Sequence, residues 1–241
     1  MSANDRIINA VVTMITDGDL QPGDRLPPEA ELAVRVGTSR GSLREAVRVL
    51  AYLGILDVRV GDGTYVTSLD GPSLLRGLGL IGHVATDKTA LEIFEIRRIL
   101  EAAATEKAAI NITDDEVAEL EDVVAQLAAE TDGERFVELD MRFHNLIAAA
   151  SGNAALRELV ASFSVQTQRA RLMQGRFVDG ILEQSRAEHE AIFRHIKAGQ
   201  PALAAAAATA HVANVEHWLR QAHDEARAAD ASAADRHREH G

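Results

Sequence analysis

The chain has 241 residues, which allows one large domain or two smaller ones. Apolar residues make up 46% of it and aromatic residues only 4%, a balance that favours closely packed helices over β-sandwiches. The absence of cysteine excludes disulfides and thiolate metal sites, and the net charge of −12 excludes a surface coated with nucleic acid, so any DNA contact must come from a local patch.

The amino-terminal 69 residues predict three helices followed by a β-hairpin. Isoleucine and valine at helical spacing from Ile7 to Ile15 predict the first helix, which the segment DGDLQPGDRL ends. Pro28 begins the second helix, and Thr38 or Ser39 caps the third. The segment ILDVRVGDGTYVTS then alternates with period two around an Asp-Gly turn. This order predicts a winged helix-turn-helix over 1–69, with the third helix in the DNA major groove.

Positive charge is concentrated around the third helix. Residues 35–48 contain four arginines against one glutamate, a net charge of +3: Arg35, Arg40, Arg44 and Arg48. Such a face is commonly only solvated, but the surrounding helix-turn-helix and wing favour contact with double-stranded DNA.

The sequence from 26 to 56 (LPPEAELAVRVGTSRGSLREAVRVLAYLGIL), followed by VRVGDGTYV, resembles the DNA-binding domain of the GntR family of bacterial transcription regulators. The resemblance implies that Ser39, Arg40, Ser42 and Arg44 contact DNA and that Gly61 and Gly63 shape the wing. Ala30 and Asp62 depart from the family pattern, which usually has basic residues there. We therefore expect weaker operator binding than is usual in the family, or an unusual operator.

Residues 68–73 (SLDGPS) predict a linker, and the chain from 74 to 225 predicts an all-helical domain of six or seven helices. The predicted helices span 73–82, 87–110, 114–130, 133–150, 153–175, 180–198 and 201–225. The polar, low-complexity segment 226–241 predicts a disordered tail. No apolar run approaches the ~18–20 residues of a membrane helix. The first twenty residues do not resemble a signal peptide, so we expect a cytoplasmic protein.

Four polar residues fall on apolar helix faces of this second domain. Asp140 and His144 lie one turn apart within the stripe of Phe136, Phe143 and Ile147. His189 and His211 fall on apolar faces of the last two helices. Each histidine could be a hydrogen-bonded core residue, and Asp140 with His144 an internal pair. A carboxylate and three imidazoles also suit a divalent metal ion, with Zn as the first candidate and Ni or Mn as alternatives.

Arg97 also lies on an apolar stripe, with Glu101 one turn further on. This pair is either structural or a clamp for the carboxylate of a small ligand, since a guanidinium matches carboxylate geometry.

Residues 76–222 resemble the FCD ligand-binding domain of the FadR branch of the GntR family. The resemblance is carried by FEIRRILE (94–101), LDMRFH (139–144), SGN (151–153), HEAIFRHIKAGQP (189–201) and His211. It implies that Asp140, His144, His189 and His211 bind a divalent metal ion and that Arg97 binds the effector. Because acyl-CoA-binding members lack this ligand set, an acyl-CoA effector is disfavoured.

The combined expectation is a homodimeric transcription regulator, a repressor on a near-palindromic operator, controlled by a small carboxylate bound at the metal. An alternative is a sensor in which the metal ion itself is the signal. A metalloenzyme is the third reading, but no further inward Glu or His is placed as a general base, so we expect no catalytic activity.

Overall fold

The structure is a computed structural model that describes residues 3–75, 77, 87–173 and 179–239. The chain divides into two compact units, Met1–Leu78 and Gly79–Gly241. As expected from the composition, it is mostly helical, with a two-stranded sheet in the first unit. None of the helices in the described ranges has both the length and the apolar character needed to cross a lipid bilayer.

The first unit is the predicted winged helix-turn-helix. Its elements are α1 (Ala3–Thr16), α2 (Glu29–Val36), α3 (Arg40–Tyr52), β1 (Leu56–Arg59), β2 (Gly63–Val66) and a short α4 (Gly71–Leu75). Ser39 caps α3, because its side-chain oxygen accepts a hydrogen bond from the Ser42 backbone N–H at 3.1 Å. The three helices bury an aliphatic core that includes Ile7, Val11, Leu32, Leu43 and Leu50.

The wing is wider than the predicted hairpin. β1 and β2 pair antiparallel, from Leu56 opposite Val66 to Arg59 opposite Gly63. On the other side of β2, the segment before α2 adds a third line of backbone hydrogen bonds. The Leu26 N–H donates to the Thr64 carbonyl, and the Val66 N–H donates to the Asp24 carbonyl, each at 2.8 Å. The loop before α2 is therefore held against the wing.

Helix α4 is packed closely against the end of α3. Gly54 has a φ of +72°, and a Cβ atom placed there would lie 1.6 Å from the Ser73 carbonyl oxygen. Only glycine fits this contact. The sequence of residues 68–73 predicts a linker, whereas in the structure helix α4 begins at Gly71. Of the helix predicted over 73–82, residues 76 and 78–82 lie outside the described residues.

The second unit contains six helices within the described residues: α5 (Asp87–Asn111), α6 (Asp114–Ala129), α7 (Gly133–Ala150), α8 (Ala154–Met173), α9 (Asp179–Lys197) and α10 (Pro201–Glu239). These bounds follow the predicted ones closely except at the end. The helix predicted to stop at 225 continues to Glu239, into the segment predicted to be a disordered tail. That segment is rich in alanine, which has the highest helix propensity of all residues.

Helix α7 lies among α5, α6 and α8 and carries half of the predicted metal ligands. Asp132 caps it by accepting a hydrogen bond from the Arg135 N–H at 2.8 Å, which sets the position of its first turn. Its apolar residues Phe136, Phe143 and Ile147 pack into the largest core cluster of the unit, together with Ile192 and Ile196 of α9. This packing fixes the rotation of α7 and turns Asp140 and His144 inward.

Candidate metal centre and nucleic-acid interface

The structure brings together the four predicted metal ligands from three helices. Asp140 and His144 come from α7, His189 from α9 and His211 from α10. One ligand atom from each of the four side chains lies within 4.8 Å of the others. All four residues are buried, with relative exposures of 5% or less.

The three imidazoles surround one carboxylate oxygen. Asp140 Oδ1 lies 3.2 Å from Nε2 of His189, 3.8 Å from Nε2 of His144 and 4.0 Å from Nε2 of His211. The same nitrogen of each ring therefore points to a common centre. Phe143 packs edge-on against His189, with ring centroids 4.7 Å apart, and seals one side of the cluster.

Two further carboxylates contact the outer nitrogens of the histidines. Glu101 Oε2 lies 2.8 Å from Nδ1 of His144. Glu188 Oε2 lies 2.8 Å from Nδ1 of His211, which donates a hydrogen bond to it. Such carboxylates fix the ring orientation and leave the Nε2 lone pair for a metal ion. His189 has no such partner among the described residues, and its packing against Phe143 orients it instead.

Burial and charge divide the histidines by protonation state. Burial and the neighbouring His211 lower the pKa of His189 to about 3. Burial also lowers the pKa of His211, and its hydrogen bond with Glu188 opposes this only in part. Burial disfavours charge on His144 too, but the carboxylates of Glu101 and Asp140 outweigh it and raise the pKa of His144 to about 9. In the absence of a bound ion, the cluster thus holds two neutral imidazoles, His189 and His211, and one imidazolium, His144, beside Asp140.

The residues present fit a divalent metal ion. The Nε2 atoms of His144, His189 and His211 are buried and have no hydrogen-bond partner among the described residues. Buried polar atoms in native proteins almost always have a partner, so three that converge on one point indicate a common one. A divalent cation would replace the proton of His144, take all three lone pairs and offset the buried charge of Asp140. The nitrogen-rich donor set suits Zn, with Ni and Mn as alternatives.

Arg97, the predicted effector residue, lies beside this cluster. It is buried, with a relative exposure of 2%, and its Nε donates a hydrogen bond to Glu101 Oε1 at 2.6 Å. Burial disfavours the charged form of Glu101, but Arg97 and His144 outweigh it and lower the pKa of that carboxyl. Because the other oxygen of Glu101 contacts His144, one carboxylate joins Arg97 to the metal-ligand cluster.

The predicted DNA contacts lie at the end of α2, at the cap and along α3, and in the wing of the first unit. Arg35, Arg40, Arg44 and Arg48 are all exposed, and the apolar side of α3 is buried. Arg44 donates from Nε to Glu29 Oε2 at 3.0 Å, and Arg35 lies 3.6 Å from Asp19. Among the described residues, no carboxylate pairs with Arg40 or Arg48.

The predicted small residues have clear structural roles. Ser39 uses its hydroxyl as the α3 cap and also lies 3.0 Å from the hydroxyl of Ser42, which is partly buried. Gly61 has a φ of +79° at the wing turn, where glycine is favoured. Gly63 allows a close approach of Arg25, since a Cβ there would lie 2.5 Å from Arg25 Nε.

Sequence reasoning missed Glu188 and Glu29. Glu188 precedes His189 on a half-buried face and looks like an ordinary solvated charge. Its one sequence signal is the pair His211 and Asn214, one turn apart on α10, which both reach it. The Glu29 contact with Arg44 joins α2 to α3 and has no signal in the spacing.

The fold and these residues define a class: a winged helix-turn-helix DNA-binding unit joined to an all-helical unit with a buried polar cluster. The family models agree with this division. Residues 3–66 match the model described as bacterial regulatory proteins, gntR family, and residues 92–214 match the FCD domain.

The chain belongs to the GntR family and carries an FCD domain. It is 30% identical over 211 residues to the HTH-type transcriptional regulator LutR of Bacillus subtilis, covering 86% of this chain and 96% of that protein. It is 28% identical over 202 residues to the galactonate operon transcriptional repressor of Escherichia coli, covering 82% and 88%. A solved structure of a GntR protein of Streptococcus agalactiae matches with a TM-score of 0.59 and 28% identity, over 89% of this chain and 99% of that one. The chain is therefore a DNA-binding transcription regulator of the GntR/FCD type.

Proposed function

We propose that this regulator is a homodimeric repressor whose operator affinity is controlled by a small organic acid bound at a divalent metal ion in the helical unit. The ion would be held by Asp140, His144, His189 and His211, with Zn as the first candidate. The observation that carries the proposal is the convergence of three buried Nε2 atoms without hydrogen-bond partners on one carboxylate oxygen.

An effector with a carboxylate group suits this site. A bound divalent ion would offer an open coordination position to such a group. Arg97 lies next to the cluster through Glu101 and supplies a buried guanidinium that can pair with a carboxylate. The name of one relative, the galactonate operon repressor, refers to a sugar acid, which supports an acidic effector and a repressor here.

The homodimer is supported by an exposed apolar face on α5. Ile96 and Ile99, one turn apart on that helix, are 43% and 69% exposed, and Ile110, three turns further on, is 67% exposed. Large apolar side chains exposed together on one helix are typical of an interaction site. A second copy of the chain would cover these isoleucines and would place two DNA-binding units on a near-palindromic operator. A regulator that binds chromosomal DNA would work in the cytoplasm.

The effector must favour one arrangement of the two DNA-binding units, because a ligand with equal affinity for both arrangements cannot change operator affinity.

A second candidate function, with the ion itself as the signal, rests on the same cluster. Retention of the ion through dialysis favours a resident ion and an organic effector, whereas weak metal affinity coupled to the operator favours a metal signal.

The test combines metal binding with thermal unfolding. We expect the purified protein to bind one divalent ion per chain, and a screen of hydroxy acids that includes galactonate should raise the unfolding temperature of the metal-loaded form. His189→Ala should abolish both effects. His195→Ala on the same helix is the matched control, because His195 bonds to Gln200 away from the cluster. Equal metal affinity in the two variants would contradict the proposal.

A further inference from the structure

Arg25 lies against the tip of the wing although it belongs to the loop before α2. Its guanidinium donates a hydrogen bond to the backbone carbonyl of Asp62. It also rests on Gly63, where an added Cβ would lie 2.5 Å from Arg25 Nε and 3.0 Å from its Nη2. The backbone hydrogen bonds of the segment 23–26 to β2 hold the base of this side chain in place. The side chain of Arg25 is thus held in a defined position against the wing.

The charge of Arg25 is not neutralised locally. Within the described part of the chain, its only side-chain hydrogen bond is to a carbonyl, and no carboxylate lies within ion-pair distance. Arg35, Arg44 and Arg59 differ, since each has a carboxylate partner: Asp19, Glu29 and Asp57 respectively. In this respect Arg25 resembles Arg40 and Arg48 of α3. An exposed guanidinium without a carboxylate partner is available to a DNA phosphate.

The rest of the wing tip does not supply such a charge. Val60 is fully exposed and apolar, and Gly61 has no side chain. Asp62 is acidic and repels phosphate, and its carboxylate is held in place by a hydrogen bond from the Tyr65 hydroxyl at 3.0 Å. Arg59 donates to Asp57 at 3.0 Å and stacks on the Tyr65 ring at 4.1 Å. Arg25 is therefore the uncompensated cation nearest to the turn among the described residues.

We infer that Arg25 contacts the phosphate backbone of duplex DNA at the wing, in place of a basic residue at the acidic turn. This inference concerns the DNA-binding unit and does not depend on the metal or effector of the helical unit. The contact carries no base specificity, so it acts equally on operator and on arbitrary duplex DNA.

The test measures the affinity of the full-length protein for a short duplex of arbitrary sequence over a series of salt concentrations. Each phosphate contact contributes ~0.9 to the slope of log affinity against log salt. Arg25→Gln should lower the slope by ~0.9 per protomer, and Arg25→Lys should retain it. Arg135→Gln is the matched control, since Arg135 is an exposed, ion-paired arginine of α7 in the other unit.

Equal slopes for Arg25→Gln and Arg135→Gln, beside a clear salt dependence of the wild-type protein, would overturn this inference alone. A wild-type protein whose binding shows no salt dependence would overturn both the inference and the proposed function.

A second measurement needs no variant. Modification of the wild-type protein by phenylglyoxal, read by mass spectrometry, should be suppressed at Arg25 by the duplex and unchanged at Arg135. Equal labelling of Arg25 with and without the duplex counts against the contact.

Discussion

Glu101 is a single buried carboxylate shared by two basic side chains. One oxygen accepts from Arg97 at 2.6 Å, and the other lies 2.8 Å from His144. Any change in how Arg97 is held therefore changes the orientation and charge environment of a proposed metal ligand. If the proposed acid and ion bind at Arg97 and at the cluster, Glu101 links the two sites, and the coupling between their affinities would be reciprocal.

We predict that Glu101→Gln weakens metal affinity by ~10–100-fold, as is usual when a carboxylate that orients a histidine ligand is removed. The variant should also be less stable, by up to ~3–5 kcal/mol, because the buried Arg97 loses its counter-charge. Competition with a chromogenic chelator measures the affinity, and urea unfolding measures the stability. Glu106→Gln, on an exposed position of the same helix, is the control and should change neither.

Residue by residue, the sequence reveals those polar groups that interrupt an apolar stripe. Asp140, His144, His189 and His211 were found in this way, because their burial follows from helical periodicity alone. Glu188 and Glu29 were not found, since both lie on polar faces and gain their partners only through the packing of two helices. Periodicity reports which face a residue is on, but not which neighbouring helix it meets.

At the level of single helices, α3 combines a buried aliphatic side with an exposed row of arginines. Arg40 is the first residue of the helix and Arg48 lies two turns later, both exposed and without a carboxylate partner among the described residues. Arg44 lies between them and is paired with Glu29. The helix thus presents two guanidiniums without a carboxylate partner, and a third that would have to leave Glu29 in order to contact DNA.

We predict that Arg40→Ala weakens binding to an operator selected from random duplexes by ~1–3 kcal/mol, if this side chain reads a base. Arg44→Ala should fall at the lower end of that range, because the Glu29 ion pair competes with DNA. Gel shifts at fixed salt measure both effects. Arg135→Ala, far from α3 in sequence and in the other unit, should leave the affinity unchanged; a comparable loss there would point to net charge as the cause.

Element bounds were predictable where a cap or a breaker stands in the sequence. Ser39, one of the two predicted caps, stands at the start of α3, and α7 and α10 begin at the predicted residues 133 and 201. The end of α10 was not predicted, because low complexity was read as disorder while the alanine content favours helix. The backbone hydrogen bonds between residues 23–26 and β2 were not predicted either, since this segment has no strand-like alternation of apolar and polar residues.

For the molecule as a whole, the exposed isoleucines of α5 bear on assembly. Ile99 is 69% exposed in the middle of a helix whose opposite face is buried. Burying a side chain of this kind against a second copy stabilises the contact by roughly 1.5–3 kcal/mol per fully buried residue. If a two-fold axis relates two copies of the helix, each such residue would be buried in both copies.

We predict that Ile99→Glu shifts the protein from dimer to monomer and weakens operator binding, because a near-palindromic site then loses one of its two DNA-binding units. Light scattering coupled to size-exclusion chromatography measures the mass. For the measurement of mass, Val34→Glu is the control, since Val34 is also an exposed aliphatic residue, 82% accessible, on α2 of the other unit. A monomeric wild type, or dimers from both variants, would exclude this face as the interface.

The contact between Gly54 and Ser73 determines where this regulator can be divided. A chimera that keeps the DNA-binding unit and replaces the helical one should be spliced after Leu75 rather than at Leu69, so that the first turn of α4 stays seated on its glycine. Conversely, a substitution such as Gly54→Val would displace that turn from the DNA-binding unit, and we expect it to weaken DNA binding although Gly54 is not one of the predicted DNA contacts.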